Sequence, residues 1–372
     1  MNITVLCKVV DNFGDIGVVY RLCKQLLFIN PSLKINLVID DLSSFKKINS
    51  RINPELYFQN ADGMDIYFWN DAELCHKEFI KNDGEKLCVI LECFQCGRPE
   101  WMEKILFQEK LNRTVLIIMI DYLTAEKYAE DFHRLKSLTR SAKVQKVNFM
   151  PGFTEKTGGL IIDSEWEKPE YNKDGPVLFF TYEKNWSPFV KAVSEWAKDN
   201  PFWQNKESFL LAPGRGKKSF LDAWSSLSQS LPLTNLDFMN QNEWDKMMKS
   251  SSVLFIRGEE SLSRACLSGI PFVWHAYPQS EEYQLVKVNA LLERIKIHFS
   301  EEEYKLIKNL WIDFNTNDEE LDKEKFYTDT KLFLQNAQKL EKGFMDFALS
   351  LRKNGDLASN LMTFILKNAI IS

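Results

Sequence analysis

A chain of 372 residues is longer than one hydrophobic core comfortably serves, so two domains of ordinary size are expected. Its 45% hydrophobic and 13% aromatic content is enough for two cores and excludes disorder. A net charge of −5 excludes a general nucleic-acid binder, and the lack of any apolar run near the ~20 residues of a membrane span excludes an integral membrane helix.

Ile3–Val9 reads as a first strand, too short and too strand-like for a signal peptide. After Gly17, Val18, Leu22 and Leu26 alternate with Arg21, Lys24 and Gln25 at helical spacing. Leu33–Ile39 is a second strand ending in Asp40-Asp41, and Tyr67, Leu87–Leu91 and Val115–Ile120 mark further short apolar runs. Strand and helix in alternation predict βαβ units and a mostly parallel sheet. Cys93-Phe94-Gln95-Cys96 is a lone CxxC; without a second pair it reads as two half-buried thiols in a loop rather than a zinc site. The seven scattered cysteines suit a reducing compartment, so a cytoplasmic location is expected.

Pro151-Gly152-Phe153 and Thr157-Gly158-Gly159 then punctuate the chain, and the polar, turn-rich stretch Glu165–Pro176 reads as a linker. The alternation restarts with strands at Val177–Thr181, Phe209–Ala212, Val253–Ile256 and Phe272–His275, with helices through Val190–Ala197, Phe220–Leu227 and Leu262–Leu267. From Ser300 onward the pattern is helical. The expected division is 1–160, 161–350, and a last helix at 351–372 that crosses back to the first domain by fold analogy. Open α/β sheets bind ligands beyond the carboxyl ends of their strands, and a cleft between two such domains is the expected site.

The first strand exits into Val10-Asp11-Asn12-Phe13-Gly14-Asp15-Ile16-Gly17. A dinucleotide turn needs G-x-G-x-x-G so that backbone can touch a pyrophosphate. Here two carboxylates stand where phosphate would go, so a cationic or proton-donating guest fits better. The plain alternative makes Asp15 an N-cap and Asp11 a turn former. In the second half, Phe255-Ile256-Arg257-Gly258-Glu259-Glu260-Ser261 is again strand to helix. Arg257 can fork onto phosphate oxygens beside a helix start that favours negative charge, and Glu259 can accept from sugar hydroxyls. A surface ion pair of Arg257 with Glu259 or Glu260 is the alternative. Phe238 and Gln241 suit stacking and hydrogen bonding of a nucleobase, with Phe238 equally suited to a core. Tyr182 and Tyr277 both follow strands and can reach a diphosphate or sugar, or simply pack. Gly214-Arg215-Gly216-Lys217-Lys218-Ser219 lacks the phosphate-loop spacing and reads as a solvated basic loop; His275 has no partners for a triad.

Val9-Val10-Asp11-Asn12-Phe13-Gly14-Asp15-Ile16-Gly17 closely resembles the N-terminal signature of the bacterial protein-arginine rhamnosyltransferases that modify translation elongation factor P, the EarP family. Three further segments agree in order and spacing: Phe149–Thr154 with Thr157-Gly158-Gly159, Phe255–Ser261, and Pro271–His275 with Tyr277-Pro278-Gln279. The resemblance implies an α/β fold of GT-B class, two Rossmann-like domains facing across a cleft with C-terminal helices. It implies inverting, metal-independent transfer of L-rhamnose from dTDP-β-L-rhamnose to one arginine of elongation factor P, supporting translation of polyproline stretches. The acceptor would lie on the first domain, at Asp11, Asn12, Phe13 and Asp15. The donor would lie on the second, at Arg257, Tyr182, Phe238, Gln241, Tyr277, Gln279, Glu260 and Ser261. Asp15 matches the family's general base, Asp11 its essential partner and Glu259 a carboxylate needed for activity. Glu260 departs from the pattern, where relatives often carry Asp. Neither cofactor, nucleic acid nor membrane is implied. The alternatives are a GT-B enzyme using another nucleotide sugar or a small acceptor, and a non-catalytic protein that binds elongation factor P.

Overall fold

The computed structural model describes residues 1–10, 13–81, 87–108, 113–198, 200–205, 207–228 and 231–371. The chain forms two compact units, Met1–Asp163 with Arg352 onward, and Ser164–Leu351. Among the described residues no helix is long and apolar enough to cross a membrane.

The first unit runs β1 (Asn2–Cys7), α1 (Gly14–Ile29), β2 (Lys34–Ile39), α2 (Leu42–Ile48), β3 (Phe58–Ala61), β4 (Met64–Phe68), α3 (Ala72–Lys81), β5 (Leu87–Cys93), α4 (Glu100–Phe107), β6 (Thr114–Ile120), α5 (Tyr128–Phe132), β7 (Lys136–Ser137) and β8 (Val144–Phe149). The sheet order is β3-β4-β2-β1-β5-β6-β8-β7. Its six inner strands are parallel, and β3 and β7 are antiparallel edges. Inner strands are covered on both faces, which is why β1 is buried at all six positions, Asn2 and Thr4 included. The β3–β4 hairpin turns on Asp62-Gly63, both at positive φ (51° and 78°), the Asp-Gly pair that a type I′ turn favours. Because β1 lies between β2 and β5, the winding reverses there and a ligand crevice is expected beyond the ends of β1 and β5.

The second unit runs β9 (Val177–Phe179), α6 (Ser187–Ala197), β10 (Phe209–Leu211), α7 (Lys217–Ser225), β11 (Thr234–Asn235), α8 (Gln241–Ser250), β12 (Val253–Arg257), α9 (Glu259–Ser268), β13 (Phe272–His275), α10 (Gln284–Ile295), α11 (Glu301–Asn315) and α12 (Lys323–Arg352). All five strands are parallel in the order β11-β10-β9-β12-β13, with the reversal between β9 and β12. Beneath this sheet the rings of Phe179, Phe189, Phe255 and Phe314 interlock, with Phe255 centroids 5.6 Å from Phe179, 4.9 Å from Phe189 and 5.6 Å from Phe314. The two strands that border the reversal are thereby held by one aromatic cluster.

Glu165–Pro176 is not a free linker. Trp166 is fully buried with the Arg264 guanidinium 5.6 Å from its ring centre, and Glu170 donates its N–H to the Ser268 carbonyl at 3.0 Å. A Cβ at Gly175 would lie 2.0 Å from the Ser250 carbonyl oxygen, so only glycine lets this strap close on α8. The chain ends in α13 (Leu357–Ile371), which packs in the first unit: Leu357, Ala358, Leu361, Met362 and Ile365 join its core. Leu357 N–H reaches the Leu160 carbonyl at 2.8 Å, and Asn360 Nδ2 the Gly158 carbonyl at 3.0 Å. A Cβ at Gly158 would meet Phe149 and Leu357 at 2.7 Å each, so the Thr157-Gly158-Gly159 signature is where this helix docks.

Candidate functional site

At the reversal of the second unit, Arg257 ends β12 and Phe180–Tyr182 follow β9. The Arg257 guanidinium lies 4.6 Å from the Phe180 ring centre and 4.4 Å from that of Tyr182. Such contacts with partly desolvated rings are each worth about 1–2 kcal/mol and fix the plane of the fork. Tyr277, after β13, meets Tyr182 edge-on at 5.4 Å. Gly258 begins α9 at φ +74° and has no side chain to cap the first turn. Glu259 and Glu260 occupy that turn, where the helix dipole favours negative charge.

The neighbouring residues form one connected cluster. Trp244 packs edge-on against Phe180 at 5.1 Å and donates its indole N–H to Ser261 Oγ at 3.2 Å. Gln241, the first residue of α8, is buried and its Nε2 reaches Glu260 Oε1 at 3.4 Å. Its helix is started by Asn240 and Glu243 in a reciprocal capping box. Phe238 lies beyond β11 with 46% of its surface exposed, so it is not a core residue. Gln279 is exposed; its backbone N–H donates to Gln284 Oε1 at 3.0 Å. Tyr182, Arg257, Tyr277, Gln241, Glu260 and Ser261 are thus brought together, with Phe238 and Glu259 on the same carboxyl edge. Phe180, Trp244 and His275 supply the walls of the cluster; of the three only His275 stood out in the sequence, and there only as a histidine without triad partners. Phe180 was hidden inside the expected strand Val177–Thr181, and the only signal for Trp244 was its place one helical turn past a cap.

In the first unit, Asp15 is 3% exposed and stands in the first turn of α1, two residues past the N-cap Phe13, so it is not the cap. Its Oδ2 accepts the Val10 N–H at 2.8 Å, while Asp40 Oδ1 accepts the Val9 N–H at 2.9 Å. Two carboxylates therefore pin the strand exit. Phe13 takes the Lys47 ammonium over its ring at 4.9 Å. Asp11 and Asn12 lie outside the described residues. Beside β1, the CxxC segment folds back with Phe94 and Gln95 both at positive φ (54° and 55°), a conformation that costs side-chain-bearing residues about 1–3 kcal/mol each. Phe94 stacks on Tyr122 at 4.5 Å. Cys93 is fully buried, not half-buried, and Cys96 donates to the Leu6 carbonyl at 3.4 Å. Burial pushes the Cys96 thiol up to about 12 and Cys93 well above its ordinary value, so both are held as thiols.

Two histidines are held neutral. His275 is buried at the end of β13, where its Nδ1 accepts the Tyr182 N–H at 3.2 Å; burial, and then Lys184 and Arg257, keep it well below its ordinary pKa. His133 accepts the Met150 N–H at 3.2 Å, and burial with nearby Arg134 pushes it down to about 4. A histidine depressed in the folded state binds protons first in the unfolded chain, near 6.5. Its contribution is therefore present above about pH 6.5 and lost as pH falls towards 4. The melting-temperature penalty of His133→Gln is accordingly expected to shrink between pH 7.5 and 4.5; a penalty that is constant across this range would contradict the titration.

A family model described as Elongation-Factor P (EF-P) rhamnosyltransferase EarP matches residues 3–174 and 168–366. A protein-arginine rhamnosyltransferase of Shewanella oneidensis is 30% identical over 364 residues, covering 84% of this chain and 89% of its own. That of Pseudomonas aeruginosa is 28% identical over 345 residues, covering 84% and 86%. Among solved structures, one from work on the structural basis for EarP-mediated arginine glycosylation of translation elongation factor EF-P aligns with a TM-score of 0.58 at 17% identity, over 98% of this chain and 99% of that one. The calicheamicin glycosyltransferase aligns with a TM-score of 0.50 at 10% identity, over 99% and 98%. These two likenesses carry the GT-B fold class, with its pair of Rossmann-like units. On the model match and the sequence identity together, the chain belongs to the elongation factor P rhamnosyltransferase (EarP) family.

Proposed function

We propose that the protein is a protein-arginine rhamnosyltransferase that moves L-rhamnose from dTDP-β-L-rhamnose to a guanidinium nitrogen of one arginine of elongation factor P, with inversion and without a metal. The observation that carries the donor side is the Arg257 fork, held between Phe180 and Tyr182 at the start of α9. There a guanidinium and the first-turn amides can meet a diphosphate, with Phe238 and Gln241 offered to the base and Glu259 and Glu260 to sugar hydroxyls. Gln279 follows on the same edge. Family membership supports the sugar, the acceptor and a place in the cytoplasm, where elongation factor P works.

The acceptor side is read from Asp15, with Asp11, Asn12 and Phe13 preceding it in the sequence. Free arginine has a pKa above 12 and is a poor nucleophile while protonated. A fixed carboxylate orients the guanidinium and takes one proton as the new carbon–nitrogen bond forms. The bond from the anomeric carbon to the diphosphate oxygen breaks at the same centre, and the leaving dTDP carries its charge towards Arg257. Attack opposite the leaving group inverts the anomeric carbon. Asp11 is assigned the positioning role. Mass spectrometry of co-expressed elongation factor P is the test: a deoxyhexose added to one arginine is the expected result, and unmodified factor from cells that make dTDP-rhamnose would refute the assignment.

A further inference from the structure

The loop Gly214–Ser219, solvated and basic by sequence, is built into the ligand edge of the second unit. It leaves β10, the strand beside β9, at the same carboxyl end. A Cβ at Gly214 would lie 2.5 Å from Arg257 Nη2 and 3.2 Å from the Phe180 ring. A Cβ at Gly216 would lie 2.4 Å from the carbonyl oxygens of both Thr181 and Tyr182. The two glycines thus let the loop backbone close directly on the segment that holds Arg257. Between them Arg215 is exposed, with its guanidinium 5.9 Å from the Tyr277 ring centre and its Nη1 donating to Tyr277 Oη at 3.4 Å.

A guanidinium binds phosphate oxygens through charge-assisted hydrogen bonds, which are stronger than a 3.4 Å bond to a phenol oxygen. A nucleoside diphosphate also carries more negative charge than the single Arg257 fork can match. We propose that Arg215 is a second diphosphate-binding guanidinium of the donor site, resting on Tyr277 until the nucleotide arrives, with Gly214 and Gly216 as the positioning residues that bring it there. This rests on the reading of the second unit as the donor side. A packing role alone would make Arg215 a surface cation on an aromatic ring, indifferent to phosphate number.

The two are separated by titrating wild type, Arg215→Lys and Arg215→Ala with thymidine 5′-diphosphate and thymidine 5′-monophosphate by calorimetry. Arg215→Ala is expected to weaken the diphosphate about 10- to 100-fold and the monophosphate less than about threefold, with Lys recovering part of the difference. In turnover, the KM for the donor rises while the KM for the protein acceptor holds. Equal losses for both nucleotides, or no loss for either, would overturn the assignment of Arg215. Should wild type fail to bind the thymidine nucleotides, the dTDP donor falls instead; the same comparison with uridine and guanosine nucleotides then decides Arg215, and its failure there too would overturn the inference.

Discussion

Asp15→Asn is expected to lower kcat by about 10²–10⁴-fold while leaving the fold intact. The side chain accepts the Val10 N–H at 2.8 Å, and an asparagine oxygen accepts the same hydrogen bond at the same place. The substitution therefore removes the negative charge and the proton acceptor but keeps the contact that shapes the strand exit. Asp15→Ala removes both, and should cost about 1 kcal/mol more in stability for a similar loss of rate. Intact-mass kinetics on elongation factor P, with melting curves of both variants, separate the effects. Near-wild-type transfer by the Asn variant would mean that another group takes the proton. A fall in rate matched by collapse of the melting temperature would make Asp15 a structural residue only.

The second large effect is expected at Arg257. Arg257→Lys should lower kcat/KM for the donor by about 10²–10³-fold, since one fixed donor aimed at developing charge is worth about 3–4 kcal/mol. Lysine keeps the charge, yet it lacks the planar fork that lies between Phe180 and Tyr182. Gly214→Ala provides an independent route to the same state. Its Cβ would occupy a point 2.5 Å from Arg257 Nη2 and displace the guanidinium without altering it chemically. Combined with Arg257→Lys it should add little, because residues acting through one contact are not additive. Losses that multiply across the pair, measured as kcat/KM for the donor, would show that Gly214 acts elsewhere.

Legibility followed the environment of each strand. Central parallel strands such as Leu87–Cys93 and Thr114–Ile120 are buried on both faces and stand out as apolar runs. Val144–Phe149 did not, because Gln145, Lys146 and Asn148 interrupt it near the sheet edge, nor did Thr234–Asn235, which is only two residues long. Glu165–Pro176 has the composition of a linker, but a single buried Trp166 and one obligatory glycine make it a packed strap. At the site, charged residues just beyond strands were visible. Whether Asp15 capped its helix was not, since cap and first-turn positions share the same residue preferences and differ only in backbone geometry.

What the sequence by itself determined was the alternation of strands and helices and the family signature. Two carboxylates without phosphate-binding glycines at a strand exit favour a cationic guest, and on that rests the acceptor side proposed above. Only the tertiary structure decided that Phe180, Gly214, Arg257 and Tyr277 belong to one site and that Gly214 and Gly216 serve contact rather than a phosphate-loop spacing. It also decided that His275 is a neutral acceptor for Tyr182. The reason is strand order. Periodicity reports what each segment buries locally, whereas parallel strands laid down as β11-β10-β9-β12-β13 bring loops far apart in sequence to a common edge.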